Sequence, residues 1–216
     1  MDNAEVSTER PEDVDTAGST SASADAEVPG PPAPPRPPRR VGLLAAVAAV
    51  FLLLDVVTKV IAAATLEGSE PVRVLGGAMY LQLVRNPGAA FGMGVDMTWV
   101  LAVVKILVAF AIVWFARRIR SAGWAVGLGL VLAGALGNVV DRVFRAPAPF
   151  QGHVVDFLSA FAPNGEAWPV FNVADSAVCV GAVLIVVLSL LGKDYDGTST
   201  QDRKAAAAGT AEGDGA

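Results

Sequence analysis

The groups in this chain able to do chemistry are carboxylates set in apolar surroundings. Asp156 stands in GHVVDFLSAF and Asp175 in FNVADSAV, and neither has a basic residue beside it. A carboxylate in a poorly solvated segment costs several kcal/mol unless something uses or neutralises it. If two such groups meet, they resist joint ionisation, one pKa rises, and the pair shares a proton. A shared proton suits hydrolysis: one carboxylate takes a proton from water while its protonated partner donates to a scissile carbonyl oxygen. Spacing alone leaves open a plainer alternative, two separately solvated loop aspartates.

The remaining ionisable groups have simpler readings. Asp55 and Lys59 are four apart in LLLDVVTKV, share a helix face, and can form an ion pair that orients the helix. In GALGNVVDRVF, Asp141 is followed by Arg142 and preceded by Asn138 on the same face. A carboxylate beside a cation stays ionised, a poor proton carrier but a good strut. Asp141 and Asn138 are therefore expected to support the site, with Arg142 reaching toward a substrate or lipid group. Lys105 has no partner in its own segment and reads as a snorkelling or buried structural lysine. The single histidine, His153, does not make a zinc site of the usual kind and reads as a loop residue near the site. The single cysteine, Cys179, has no disulfide partner and reads as packing. No Ser–His or Ser–Lys pair is evident, and no metal or other cofactor is expected.

These residues have to be positioned in a membrane. The chain has 216 residues, 53% hydrophobic and 17% charged, with a mean hydropathy of +0.51, a balance that a soluble domain of this size would struggle to bury. The net charge of −5 lies largely in the two ends of the chain, and nothing points to nucleic acid. Residues 1–40 are acidic, Ser/Ala-rich and then Pro-rich, and residues 193–216 are polar and of low complexity. Both are expected to be disordered tails, the first without the pattern of a secretory signal. Between them, residues 41–192 form the membrane domain. Its apolar segments at 41–64, 97–116, 122–143 and 173–191 each approach the roughly 20 residues that cross a bilayer. The predicted class is an all-α integral membrane protein with four transmembrane helices. Basic residues flank the first helix at 36–40, fill 117–120 and follow the last at Lys193, which places both termini in the cytoplasm and loops 65–96 and 144–172 outside. VRVLGGAMYLQLVRN carries two β-prone runs split by Gly-Gly, a small extracytoplasmic hairpin.

Other classes fit less well. A transporter usually has repeats and helices broken at mid-membrane, whereas the unpaired acids here lie at one rim. A structural membrane protein leaves the cost of Asp175 unexplained. A metal-dependent lipid transferase would be distinguished by sensitivity to chelators.

The ordered set Asp55-x-x-Thr58-Lys59, NPGAAF at 86–91, GALGNVVDR at 134–142, VVDF at 154–157 and FNVAD at 171–175 resembles the lipoprotein signal peptidase family, signal peptidase II. The resemblance runs from about Asp55 to Val183 and includes neither tail. It implies a four-helix aspartic endopeptidase of the bacterial cytoplasmic membrane that cuts lipid-modified prolipoproteins just before the diacylglyceryl-cysteine; the expected partners are those substrates and membrane lipids, and the expected unit is a monomer. It implies Asp156 and Asp175 as the catalytic pair. Asn86, Gly88, Asn138, Arg142, Asn172 and Ala174 fall on motif positions that shape the site and hold substrate, and Asp55 with Lys59 falls on the first-helix motif. The stretch RVFRAPAPFQGHVVDF departs from the family pattern in being longer before Asp156.

Overall fold

A computed structural model describes residues 37–88 and 98–204. Four helices dominate it: α1 (Val41–Leu66), α2 (Thr98–Phe115), α3 (Ala122–Phe144) and α4 (Val173–Leu190). All four segments are long and apolar enough to cross a membrane. Their large side chains, among them Leu53, Val60, Phe110, Trp114, Val183 and Leu190, face outward, where lipid rather than water is the matching solvent.

The sequence of α3 explains its central position. It is the least hydrophobic of the four and the most enclosed, with 56% of its apolar window buried against 17%, 22% and 17% for α1, α2 and α4. Without a hydrophobic drive between helices in lipid, close association relies on small residues that let backbones approach. Gly134 and Gly137 do this: a Cβ at Gly134 would lie 2.2 Å from the Ala174 carbonyl oxygen, and one at Gly137 would lie 2.4 Å from an Asp55 carboxylate oxygen. α3 thereby packs against α1, α2 and α4.

The predicted hairpin is present as β1 (Val72–Val74) and β2 (Met79–Asn86), turning through Leu75–Gly77. Gly76 and Gly77 both take positive φ there, conformations that glycine adopts without strain. A third strand, β3 (Val154–Ala160), pairs antiparallel with β2 and opposes Asp156 to Val84 and Val154 to Asn86. The sequence reading treated 144–172 as a loop; its VVDF run is instead a buried strand whose partner lies some 70 residues earlier in the chain. A bulge between Leu81 and Val84 re-aims the end of β2.

β3 also captures the approach to α4. The Phe157 and Leu158 amides donate to the Phe171 carbonyl at 3.0 and 2.9 Å, and the Phe171 amide donates to Leu158 at 2.8 Å. At the opposite end of the bundle, the Arg40 amide donates to Ile119, and the Arg120 and Ser121 amides donate to Tyr195. The basic flanks thus gather at one end and the sheet stands at the other. The C-terminal segment expected to be solvated from residue 193 is in part packed, with residues 200–204 exposed: Tyr195 contacts the rings of Phe115 and Trp124, and Lys193 pairs with Ser199 in an isolated β-bridge. Most of the N-terminal tail, residues 89–91 of NPGAAF and residues 205–216 lie outside the described residues.

Candidate active site

Asn172 starts the site because it starts α4. Its side chain accepts from the Asp175 amide at 3.0 Å, while its own amide donates to Asp175 Oδ2 at 3.2 Å. This reciprocal capping box satisfies backbone donors that the first turn would otherwise leave bare. The N-x-x-D spacing ahead of an apolar run carried that signal, and the sequence reading missed it. Asp175 therefore has a structural task besides any chemical one.

The same asparagine joins the two unexplained carboxylates. Asn172 Nδ2 donates to Asp156 Oδ1 at 2.7 Å and to Asn138 Oδ1 at 3.2 Å. Asn138 Nδ2 in turn donates to Asp175 Oδ1 at 2.8 Å. Asn86 Nδ2 reaches the other oxygen of Asp156 at 2.9 Å. Asp156 and Asp175 are thus brought together from β3 and α4. Their carboxylates open onto one cavity of about 560 Å³, lined also by Asn86, Gly88, Asn138 and Arg142. Burial lifts the Asp156 carboxyl to about 7; the Asp175 charge adds to the rise, and the Asn86 and Asn172 hydrogen bonds and Lys59 oppose it. A carboxyl group of that strength carries a proton at neutral pH and can give it up to a reacting atom.

Beneath the pair lies a buried ionic strut. Lys59 Nζ meets Asp55 Oδ2 at 2.8 Å, Asp141 Oδ2 at 2.7 Å and Asn138 Oδ1 at 3.0 Å, so its three protons all have acceptors. Asp55 uses its other oxygen to accept from the Ala174 amide at 2.8 Å, which ties α4 to α1. The expected Asp55–Lys59 pair is present, but it is half of a larger cluster.

The pairing expected of Asp141 with the adjacent Arg142 is replaced by another. The cations that balance Asp141 are Lys59 and Arg145, not the adjacent Arg142. Neighbouring helix positions point in different directions, and Arg142 turns the other way, donating to the Pro87 carbonyl at 3.1 Å and the Gly88 carbonyl at 2.6 Å. With the Gly88 amide donating to Asn86 Oδ1 at 3.0 Å, it fixes the Asn-Pro-Gly turn that presents Asn86 to Asp156. The residue is buried, and among the described residues its Nε has no hydrogen-bond partner.

Among the further cavity residues without an assigned role in the site are Lys105 from α2, and Trp168 and Cys179 around the α4 side. Lys105 carried a signal, a lone cation in an apolar run; the others did not. His153 is a loop residue whose amide donates to Ala146 at 3.0 Å. Among the described residues, no three His, Cys, Asp or Glu side chains gather in a way that would hold a metal.

The family described as Signal peptidase (SPase) II matches residues 47–191, a span containing every residue of this hydrogen-bonded cluster. The chain belongs to the signal peptidase II family. Similar proteins include the lipoprotein signal peptidase of Rhodococcus jostii strain RHA1, 53% identical over 156 residues, covering 72% of this chain and 76% of that protein. The lipoprotein signal peptidase of Mycobacterium tuberculosis H37Rv is 51% identical over 157 residues, covering 73% and 75%. Among solved structures, a bacterial membrane enzyme determined by the in meso method at 2.3 Å superposes with a TM-score of 0.63 at 30% identity, covering 73% of this chain and 93% of that one. This signal peptidase II family member is a multi-pass membrane protein.

Proposed function

We propose that the chain is a membrane aspartic endopeptidase that removes signal peptides from lipid-modified prolipoproteins, cutting before the diacylglyceryl-cysteine with a water activated between Asp156 and Asp175. The observation that carries this reading is the linkage of two buried-site carboxylates through Asn172 at one predominantly apolar cavity. Proteins similar to the chain carry the name lipoprotein signal peptidase.

In the proposed cycle one proton is shared by the pair. The ionised carboxylate takes a proton from water as its oxygen attacks the scissile carbonyl carbon, and the protonated partner donates to the carbonyl oxygen. The tetrahedral intermediate collapses as the carbonyl re-forms and its oxygen returns the proton to the partner carboxylate. The C–N bond breaks, and the proton taken from water passes to the departing amine. Asn86, Asn138 and Asn172 hold the carboxylates in register. Arg142 and Gly88 shape the adjacent turn, and the Asp55–Lys59–Asp141 cluster with Ala174 locks α1, α3 and α4 behind them. A substrate anchored by its own lipid and signal helix searches laterally, which turns encounter into a near-intramolecular event. We place the pair at the extracytoplasmic face of the bacterial cytoplasmic membrane, with both termini inside and the monomer as the working unit.

The test is cleavage of a lipidated precursor by purified protein, with and without chelator. Asp156→Asn and Asp175→Asn are expected each to lower turnover by at least about a thousandfold, roughly 4 kcal/mol in barrier, while the proteins remain folded and inserted. Near-wild-type turnover by either variant would reject the dyad, and loss of activity in chelator would reject the metal-free route.

A further inference from the structure

Lys105 is the charged cavity residue that the proposed chemistry leaves unused. It projects from α2 into the space lined by Asp156, Asp175 and Arg142. Among the described residues it makes no hydrogen bond and no ion pair, in contrast to Lys59. An unpaired ammonium at membrane depth is costly, so a lysine retained there is a candidate for function rather than packing.

We propose that Lys105 is a positioning residue for the aspartate pair: its uncommitted ammonium, facing both carboxylates across the cavity, keeps one negative charge on the pair and thereby sets the pH range of cleavage. The inference rests on the dyad reading above. Among the described residues, the other cations facing the pair are held in place by hydrogen bonds or ion pairs. Lys59 on α1 is balanced by Asp55 and Asp141, and Arg142 on α3 is spent on the Pro87 and Gly88 carbonyls. β2 contributes only the Asn86 amide, and α4 adds the Cys179 thiol at the cavity wall. Burial, with the Asp175 charge adding to it, pushes Asp156 up to about 7. Removing a cation that faces the pair favours a second protonation, which would leave no base for water. The lone positive charge on α2 opposes that second protonation.

The experiment is the pH profile of kcat/KM for wild type, Lys105→Met, Lys105→Gln and Lys105→Arg on a lipidated peptide without histidine, with Asp156→Asn run alongside. Both limbs of the Met and Gln profiles should move up by about one pH unit, giving roughly tenfold lower kcat/KM on the acid side. The Arg variant should restore the wild-type limbs, an outcome that a purely structural role would not produce. Two neutral replacements are used so that one that fails to insert leaves the other to decide. Limbs that coincide with wild type, or activity lost at every pH in folded protein, overturn the proposal. An inactive Asp156→Asn beside unmoved limbs sinks the Lys105 role alone, whereas an active Asp156→Asn sinks the dyad and this inference with it.

Discussion

The burial of Asp156 ties the stability of the fold to pH. In the unfolded chain its carboxyl group titrates in the ordinary range near 3.9, whereas in the fold burial and Asp175 hold it at about 7. Between those values the folded state keeps a proton that the unfolded state releases. The contribution of this group to stability is therefore complete below about pH 4, falls as pH rises, and is gone above about 7. A shift of three units corresponds to a few kcal/mol, about 4 at most. The denaturation midpoint of wild type in one detergent should accordingly fall between pH 4.5 and 8 relative to that of Asp156→Asn, which has no such group to titrate. A gap between the two that does not change with pH would contradict the assignment of burial as the cause.

At the scale of elements, α4 is positioned by its first turn and α1 by a charge. Asn172→Ala removes the cap, a loss of about 1 kcal/mol, and also frees Asp156 and Asn138 from their shared donor. Its kcat should fall by more than about a hundredfold, far beyond what the modest drop in stability accounts for; a purely proportional effect would mean that the bond between asparagine and Asp156 is unimportant. Lys59→Met behaves in the opposite way. It leaves Asp55 and Asp141 buried without their common cation, a defect of about 3–5 kcal/mol that should appear first as a lower unfolding temperature and loss of folded protein. A Lys59→Met protein as stable as wild type would show that the cluster is not what joins α1 to α3.

For the whole molecule, the proposed orientation follows from the gathering of basic flanks at one end and the sheet at the other. Single cysteines at Ser69 and Asn164, in a Cys179→Ser background, should react with a membrane-impermeant reagent on intact cells, and one at Ser121 should not. The reverse pattern would invert the topology. The composition of residues 1–35 leaves little to bury, while the contacts that Thr198, Ser199 and Thr200 make with residues 192–194 move the dispensable C-terminal boundary from 193 to about 205. Deleting 1–35 and 205–216 should keep kcat/KM within a few-fold, less than about 1 kcal/mol. Cutting after Gly192 should instead lower the unfolding temperature, because it removes the carbonyls that accept from Arg120, Ser121 and Trp124. Equal stability of the two truncations would refute the revised boundary.

The amino-acid sequence by itself determined the membrane class, the four spans, the β1–β2 hairpin and the two carboxylates with no neighbour to explain them. Each follows from quantities that sum along a short stretch of chain: transfer free energy over about 20 residues, Gly-Gly between β-prone runs, and charge set against apolar flanks. Tertiary structure alone decided the rest. β3 was hidden because its hydrogen bonds go to β2, about 70 residues away, and Asp141 found Lys59 on another helix rather than Arg142 beside it. The meeting of Asp156 and Asp175, the turn held by Arg142 and the cavity that Lys105 enters all depend on α3 drawing its neighbours close through glycine. Contacts between distant segments are set by packing, and no local window of sequence contains them.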